Sequence, residues 1–258
     1  ASGVLPVCIG RATRFINYVV DGNKQYSMTV RLGEATETYD ASGKVTATSD
    51  PSSVSRELVE NTIQNFIGEI QQIPPMYSAL KHHGQPLYRL ARKGIEVKRE
   101  PRQVKIFSIW LSGWQPPDFM LEVDCGRGFY ARSLAHDLGE AMGGAAHLLQ
   151  LVRGQAGLFK LDDSVLLDEF EARVNLGNWQ DLVYPIDFVL MDLPMLVVDP
   201  LKEELVRNGQ QFQATLVSGH PSMSKQKARV YSMEGHLIAV ARYDPAGLSW
   251  FPERVIQP

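Results

Sequence analysis

The stretch Cys125–Gly139, CGRGFYARSLAHDLG, puts Tyr130 and Arg132 two positions apart behind a pair of glycines, at the point where a helical pattern begins. An Arg offers five donors in a planar fork, the geometry that holds a carboxylate or a phosphate. Gly126 and Gly128 allow close backbone approach or positive φ. A lone G-x-G reads as a tight turn, with a phosphate cradle at the helix N-terminus as the alternative. A second stretch, Ile73–Gly94, alternates Lys81, Arg89 and Arg92 with Tyr77, Tyr88, His82 and His83 and contains no acid. Cations facing phosphate and rings stacking on bases are how proteins grip RNA loops. An amphipathic surface helix with two core tyrosines would have the same composition. Tyr26 opens an alternating run just after Lys24, where a Tyr either packs one sheet face or stacks on a base. His147 has no partner at i+4 and reads as a structural histidine rather than a metal ligand.

These residues need elements to position them. Gln25–Leu32 alternates Tyr26, Met28, Val30 and Leu32 with polar partners, the period of a half-buried strand. Asp50 and Pro51 read as N-cap and first residue of an amphipathic helix carrying Val54, Leu58, Ile63, Phe66, Ile67 and Ile70, broken at Pro74-Pro75. Val104–Leu111 and Phe119–Cys125 flank the turn GWQPPD and predict an antiparallel pair. Ala131, Leu134, Ala135, Leu138 and Met142 recur at helical spacing, with Gly143-Gly144 as the stop. In GAAHLLQLVRG, His147, Leu151 and Arg153 stand at spacings consistent with one helix. The segment around Tyr184–Leu193 reads as a linker. Beyond it, Asp199-Pro200 caps a small helix ending at Asn208-Gly209, and ARVYSM and HLIAVARY form a hairpin through Glu234-Gly235. A catalytic domain over 1–184 and a β-rich module over 194–258 are expected.

Composition narrows the function classes. With 44% hydrophobic and 21% charged residues, the 258-residue chain can bury a real core. Cys8 and Cys125 are two thiols far apart, with no disulfide framework or metal-ligand spacing. No signal-peptide pattern or long apolar run is present, so the expected location is cytoplasmic, with no membrane partner. No GxGxxG, P-loop, CxxC, HExxH or GxSxG occurs, and neither metal nor cofactor is expected. The net charge is −3, yet residues 79–105 carry eight Lys/Arg against two acids while 161–204 carry eleven acids against two Lys/Arg. That segregation reads as a basic footprint balanced by an acidic segment, or as two solvated faces.

Five motifs in order, ASGVLPVCIGRATRF, KQYSMTVRLGEATETYDASG, IPPMYSALKHHGQPLYRLARKG, CGRGFYARSLAHDLG and GAAHLLQLVRG, give the chain a resemblance to bacterial-type tRNA pseudouridine synthases acting on the T-loop uridine at position 55, the TruB family. The resemblance runs over the whole chain. It implies an α+β pseudouridine synthase fold with a mixed, mainly antiparallel sheet flanked by helices, followed by a PUA-like RNA-binding module. It assigns about 73–102 to an insertion that grips the T-arm of tRNA through Lys81, Arg89 and Arg92. Tyr26 would stack on the flipped uracil and take its C5 proton, Tyr130 and Leu151 would line the base pocket, and Arg132 would pair with the nucleophilic Asp. The family has that Asp in a G-H-x-G-T-L-D-P-type loop directly before the segment matching Ala1, so the 258 residues are expected to start just past it and to be inactive alone. The lost segment would contribute a strand as well as the loop. No cofactor, DNA or guide RNA is implied, since GQPLYRLARKG looks like the stand-alone form, and a monomer is expected. Phe129 and Ala131 stand where the family commonly has Thr and Ile, and Val152-Arg153 where it often has a basic pair. The rival reading is a non-catalytic tRNA-binding or RNA-folding protein.

Overall fold

The computed structural model describes residues 1–217 and 226–257; residues 218–225 and 258, which belong to the expected C-terminal module, lie outside the described residues. The chain forms two compact units, one of residues 1–6 and 20–164, the other of residues 7–19 and 165–258.

In the first unit the chain runs β1 (Ser2–Gly3), α1 (Ile16–Asp21, shared with the second unit), β2 (Lys24–Leu32), β3 (Glu34–Thr36), β4 (Val45–Thr48), α2 (Arg56–Gln64) and β5 (Gly68–Gln72). It continues through β6 (Lys81–His82), β7 (Gln85–Pro86), α3 (Leu87–Ala91), β8 (Arg102–Gln115), β9 (Asp118–Cys125), α4 (Ala131–Ala141), β10 (Ala146–Ala156) and β11 (Phe159–Lys160). The main sheet has the order β1-β10-β2-β9-β8-β5, with β11 paired to β10. Only the β1–β10 pairing is parallel, so the sheet is mixed and mainly antiparallel. Alternation puts Met28, Val30 and Leu32 on one face, where Ile106, Ile109, Phe119, Leu121 and Val123 join them in a core closed by Val59 and Ile63 of α2 and Leu134 and Leu138 of α4.

Two expected helices come out differently. Asp50 does cap, accepting from the Ser52 amide at 2.9 Å, but the cap serves a short 3-10 turn over Pro51–Ser53. Ser55 then caps α2, its hydroxyl accepting from the Leu58 amide at 3.1 Å. At Gly68 the chain takes φ 98°, open to glycine without strain, and Ile70 enters β5 rather than a helix. Residues 146–156, with His147, Leu151 and Arg153, form strand β10 and not a helix. Pairing with β2 along its length, with β1 at Val152 and Arg153 on the other side, satisfies this backbone and outweighs the local apolar spacing.

In the second unit α5 (Leu167–Asn175) precedes β12 (Met195–Val198), α6 (Pro200–Arg207), β13 (Lys227–Ser232), β14 (Leu237–Asp244) and β15 (Ser249–Val255). Its four-stranded sheet, β12-β13-β14-β15, packs around Leu196, Val206, Phe212, Val230, Ile238 and Trp250. The Asp199 cap on α6 and the Gly235 turn between β13 and β14 are those read from the sequence. The stretch expected as a linker contains a packed 3-10 turn, Ile186–Leu190, with Leu190 buried against Phe15, Val240 and Ile256. The units accordingly divide after Ser164 rather than at the linker, and residues 7–19 join the second.

Candidate active site

Strand β9 delivers the chain to the turn at Gly126–Gly128, where Gly128 has φ 85°, and Tyr130 takes extended angles as the N-cap of α4. Arg132 therefore sits in the first turn of α4. Its Nη2 donates to the Tyr77 carbonyl at 2.7 Å, while Nη1 donates to the Thr38 carbonyl and to Asp40 Oδ2, both at 3.3 Å. The structure thus supplies Arg132 with a carboxylate partner, Asp40, from the TYDASG loop.

Asp40 is held through both carboxylate oxygens. Its Oδ1 accepts from the Thr38 hydroxyl at 2.8 Å, from the Ser42 amide at 3.0 Å and from the Ser42 hydroxyl. Burial pushes the carboxyl pKa up, but the Ser42 and Thr38 hydrogen bonds and the Arg132 charge outweigh it, leaving Asp40 below the ordinary aspartate value. The loop bridges to β10, the Ala41 amide donating to the Leu148 carbonyl and the Leu148 amide to the Tyr39 carbonyl, both at 3.0 Å. Asp40 and Arg132 are 92 residues apart, so nothing in their spacing links them. The signal for a held carboxylate was local: Asp followed two residues on by Ser, the pattern of an Asx turn.

Tyr26 has the same parity on β2 as Met28 and Val30, so its ring packs at the end of the core face, only partly covered. Opposite it in register stands Arg153, and Leu151, paired with Met28, is its diagonal neighbour on the same face. The Phe129 ring lies 6.0 Å away. Burial raises the Tyr26 pKa above the ordinary phenol value and nearby Cys125 adds to this, while the charge and hydrogen bond of Arg153 work against both. Arg153 is in turn anchored by its Nε donating to the Val4 carbonyl at 2.7 Å. Gly3 makes that approach possible, since a Cβ there would lie 2.3 Å from the Arg153 carbonyl oxygen. The sequence reading named Arg153 without making it a site residue, and the helix expected there would have turned it away from Tyr26. Cys125, at the end of β9, is a buried thiol pushed up to about 12, mainly by desolvation, and is inert as a nucleophile.

The insertion folds as a β6–β7 hairpin followed by the short α3, not as one long surface helix. Leu87 and Leu90 turn inward, and Arg89, Arg92, Lys93 and Gln85 line an open cavity of about 440 Å³. The Arg92 guanidinium lies 5.6 Å from the centre of the Tyr88 ring. Lys81 is exposed on β6, outside that lining. His147 bonds the Glu34 carbonyl through Nδ1 at 2.9 Å, as a structural histidine should. Among the described residues, no group of three or more His, Cys, Asp or Glu is placed to hold a metal ion, and no helix is long and apolar enough to cross a membrane.

The family described as TruB family pseudouridylate synthase (N terminal domain) matches residues 1–131. The chain is 42% identical over 257 residues to the tRNA pseudouridine synthase B of Dechloromonas aromatica, covering 100% of this chain and 83% of that protein. It is 39% identical over 255 residues to the protein of the same name from Dehalococcoides mccartyi strain 195, covering 99% and 83%. The chain belongs to the TruB family. TruB proteins are pseudouridine synthases, RNA-modifying isomerases. Among solved structures, a chain of the Cbf5-Nop10-Gar1 complex matches with a TM-score of 0.72 at 22% identity, covering 99% of this chain and 73% of that one. A chain of an H/ACA RNP bound to a substrate RNA containing 2′-deoxyuridine matches at 0.70 and 19%. At that identity the likeness bears on the fold, which is the pseudouridine synthase fold with a small additional sheet unit toward the C-terminus.

Proposed function

We propose that this TruB protein isomerises the T-loop uridine of tRNA, position 55, to pseudouridine in the cytoplasm, acting as a monomer without a guide RNA. The observation that carries the reading is the partly covered Tyr26 ring beside Arg153 and Leu151, on the strand pair whose β10 partner also anchors the Asp40–Arg132 loop. The target base leaves its stack and enters the pocket, with Tyr26 stacking on it and Tyr130 and Leu151 lining it. The C1′–N1 bond breaks and its electrons leave with the uracil, which rotates and bonds C1′ through C5. The Tyr26 phenolate takes the C5 proton, N1 takes one from water, and Tyr26 returns its proton to water, so the proton count is unchanged. Arg153 lowers the cost of the phenolate form in which Tyr26 accepts that proton. The insertion holds the T-arm through Arg89, Arg92 and Lys81, and residues 194–258 serve as a PUA-like RNA-binding module.

The resemblance assigns the attack on C1′ to an Asp preceding the segment matching Ala1. Asp40 does not replace it, because both its oxygens already accept hydrogen bonds and its charge is spent on Arg132. The test compares the 258-residue chain with the same chain preceded by a G-H-x-G-T-L-D-P-type segment, using a T-arm stem-loop and chemical mapping of pseudouridine. Both are expected to bind, and only the extended one to isomerise. Binding without isomerisation by both supports the RNA-binding reading instead, and turnover by the shorter chain would mean that a carboxylate within these 258 residues attacks C1′.

A further inference from the structure

Helix α4 starts without a side-chain cap of its own. What holds its first residues comes from β5. Gln72, the last residue of that strand, is 1% exposed, and its amide meets one residue at both ends. The Tyr130 amide donates to Gln72 Oε1 at 3.0 Å, and Gln72 Nε2 donates to the Tyr130 carbonyl at 3.3 Å. That carbonyl also accepts the first bond of the helix, from the Leu134 amide at 3.1 Å. The Gln72 side chain thus bonds Tyr130 as a neighbouring strand would, at a point where no strand runs. Two further links follow along the chain: the Ser133 hydroxyl donates to the Ile73 carbonyl at 2.7 Å, and Arg132 to Tyr77. The segment entering the insertion is stitched to the residues that carry Tyr130 and Arg132.

We propose that Gln72 is a positioning residue for the isomerisation, fixing the Tyr130 backbone and through it the aim of Tyr130 at the flipped base and the start of the helix that carries Arg132. This rests on the functional reading above. A buried amide with both ends used is an orienting device, because losing it frees a backbone N–H and a carbonyl that must find other partners. The phenol of Tyr130 then swings about an unheld pivot, and displacement of about 1 Å costs roughly a hundredfold in rate.

The test is Gln72→Met, close in volume and without hydrogen bonds. In the protein extended by the Asp-bearing segment, the single-turnover rate is expected to fall roughly ten- to a hundredfold, with stem-loop affinity within about twofold of the parent. In the 258-residue chain without RNA, hydrogen exchange at the Tyr130 amide is expected to speed up about tenfold or more, while Leu134 and Leu138 keep their protection. The exchange readout needs no activity, so a parent that makes no pseudouridine defeats the functional reading separately. An unchanged single-turnover rate or unchanged Tyr130 exchange in the folded variant overturns the proposal. So does a rate loss matched by a general loss of protection, which marks a merely structural residue. If Gln72→Met does not fold, Gln72→Asn, one methylene short of Tyr130, takes the same measurements; failure of both to fold also overturns it.

Discussion

Arg132 touches three acceptors on two segments, the Thr38 carbonyl and Asp40 on one side and the Tyr77 carbonyl on the other. A Lys has the charge but not the fork, and one ammonium cannot hold that geometry. Arg132→Lys in the extended protein is therefore expected to cost on the order of a hundredfold in the chemical step, with a smaller loss of tRNA affinity. Single-turnover rates set against affinities decide it: a strong loss of affinity with the rate intact would make Arg132 a phosphate ligand. At Tyr26 the split has another origin. Stacking survives removal of the hydroxyl, but proton abstraction does not, so Tyr26→Phe is expected to keep RNA binding and lose roughly a hundredfold or more in rate. Equal rates for Tyr26→Phe and its parent would remove Tyr26 from the proton-transfer step.

Among the elements, the insertion makes the clearest claim on RNA. Its basic side chains stand outside a small apolar seam of Leu87 and Leu90, and three of them meet at one open cavity. Lys81→Ala combined with Arg89→Ala and Arg92→Ala is expected to weaken tRNA binding while leaving the fold intact. Every cation removed from a phosphate should lower the log–log salt slope by roughly 0.7 to 0.9. Affinity measured from low to moderate salt tests this, and an unchanged slope would make the run a solvated face. Arg89 and Arg92, which share the cavity, should account for more of the change than Lys81.

For the molecule as a whole, a net charge of −3 works against binding a polyanion, so affinity must come from the local excess over residues 79–105. Stability has its own dependence on proton uptake. Asp137, on α4, is pushed up to about 6 by burial, with Glu140 adding to the shift. A carboxyl with a raised folded pKa binds its proton more readily in the folded state, so stability falls as pH rises from the unfolded value, about 3.9, through 6. Asp137→Asn is expected to match the parent near pH 4 and to exceed it above pH 7. Discounted for partial exposure, the gain is about 1 kcal/mol. Denaturant midpoints at the two pH values check the sign, and a variant less stable than its parent at pH 8 would mean the ionised carboxylate has a partner.

Much of this molecule was legible in its residues alone. Period-two alternation marked β2, because a half-buried strand must alternate, while apolar runs flanking turn residues marked the β8–β9 and β13–β14 hairpins. Asp199-Pro200 and Gly143 marked helix ends, because caps and positive φ have few residue solutions. The ordered motifs carried the family, and with it the candidacy of Tyr26, Tyr130, Leu151 and Arg132. What failed was the reading of short apolar runs. Residues 146–156 have helical spacing locally and became a strand because β2 pairs with them along their length, and β1 bonds Val152 and Arg153 from the other side. Ile70 left its expected helix through pairing of the edge strand β5 with β8. The partners of the site residues were decided by tertiary structure alone. Asp40 meets Arg132, Arg153 meets Tyr26 and Gln72 meets Tyr130 across separations of 92, 127 and 58 residues. A sequence shows which side chains have chemistry to offer; contacts between distant ones exist only once the sheet register and the packing of α4 have brought them together.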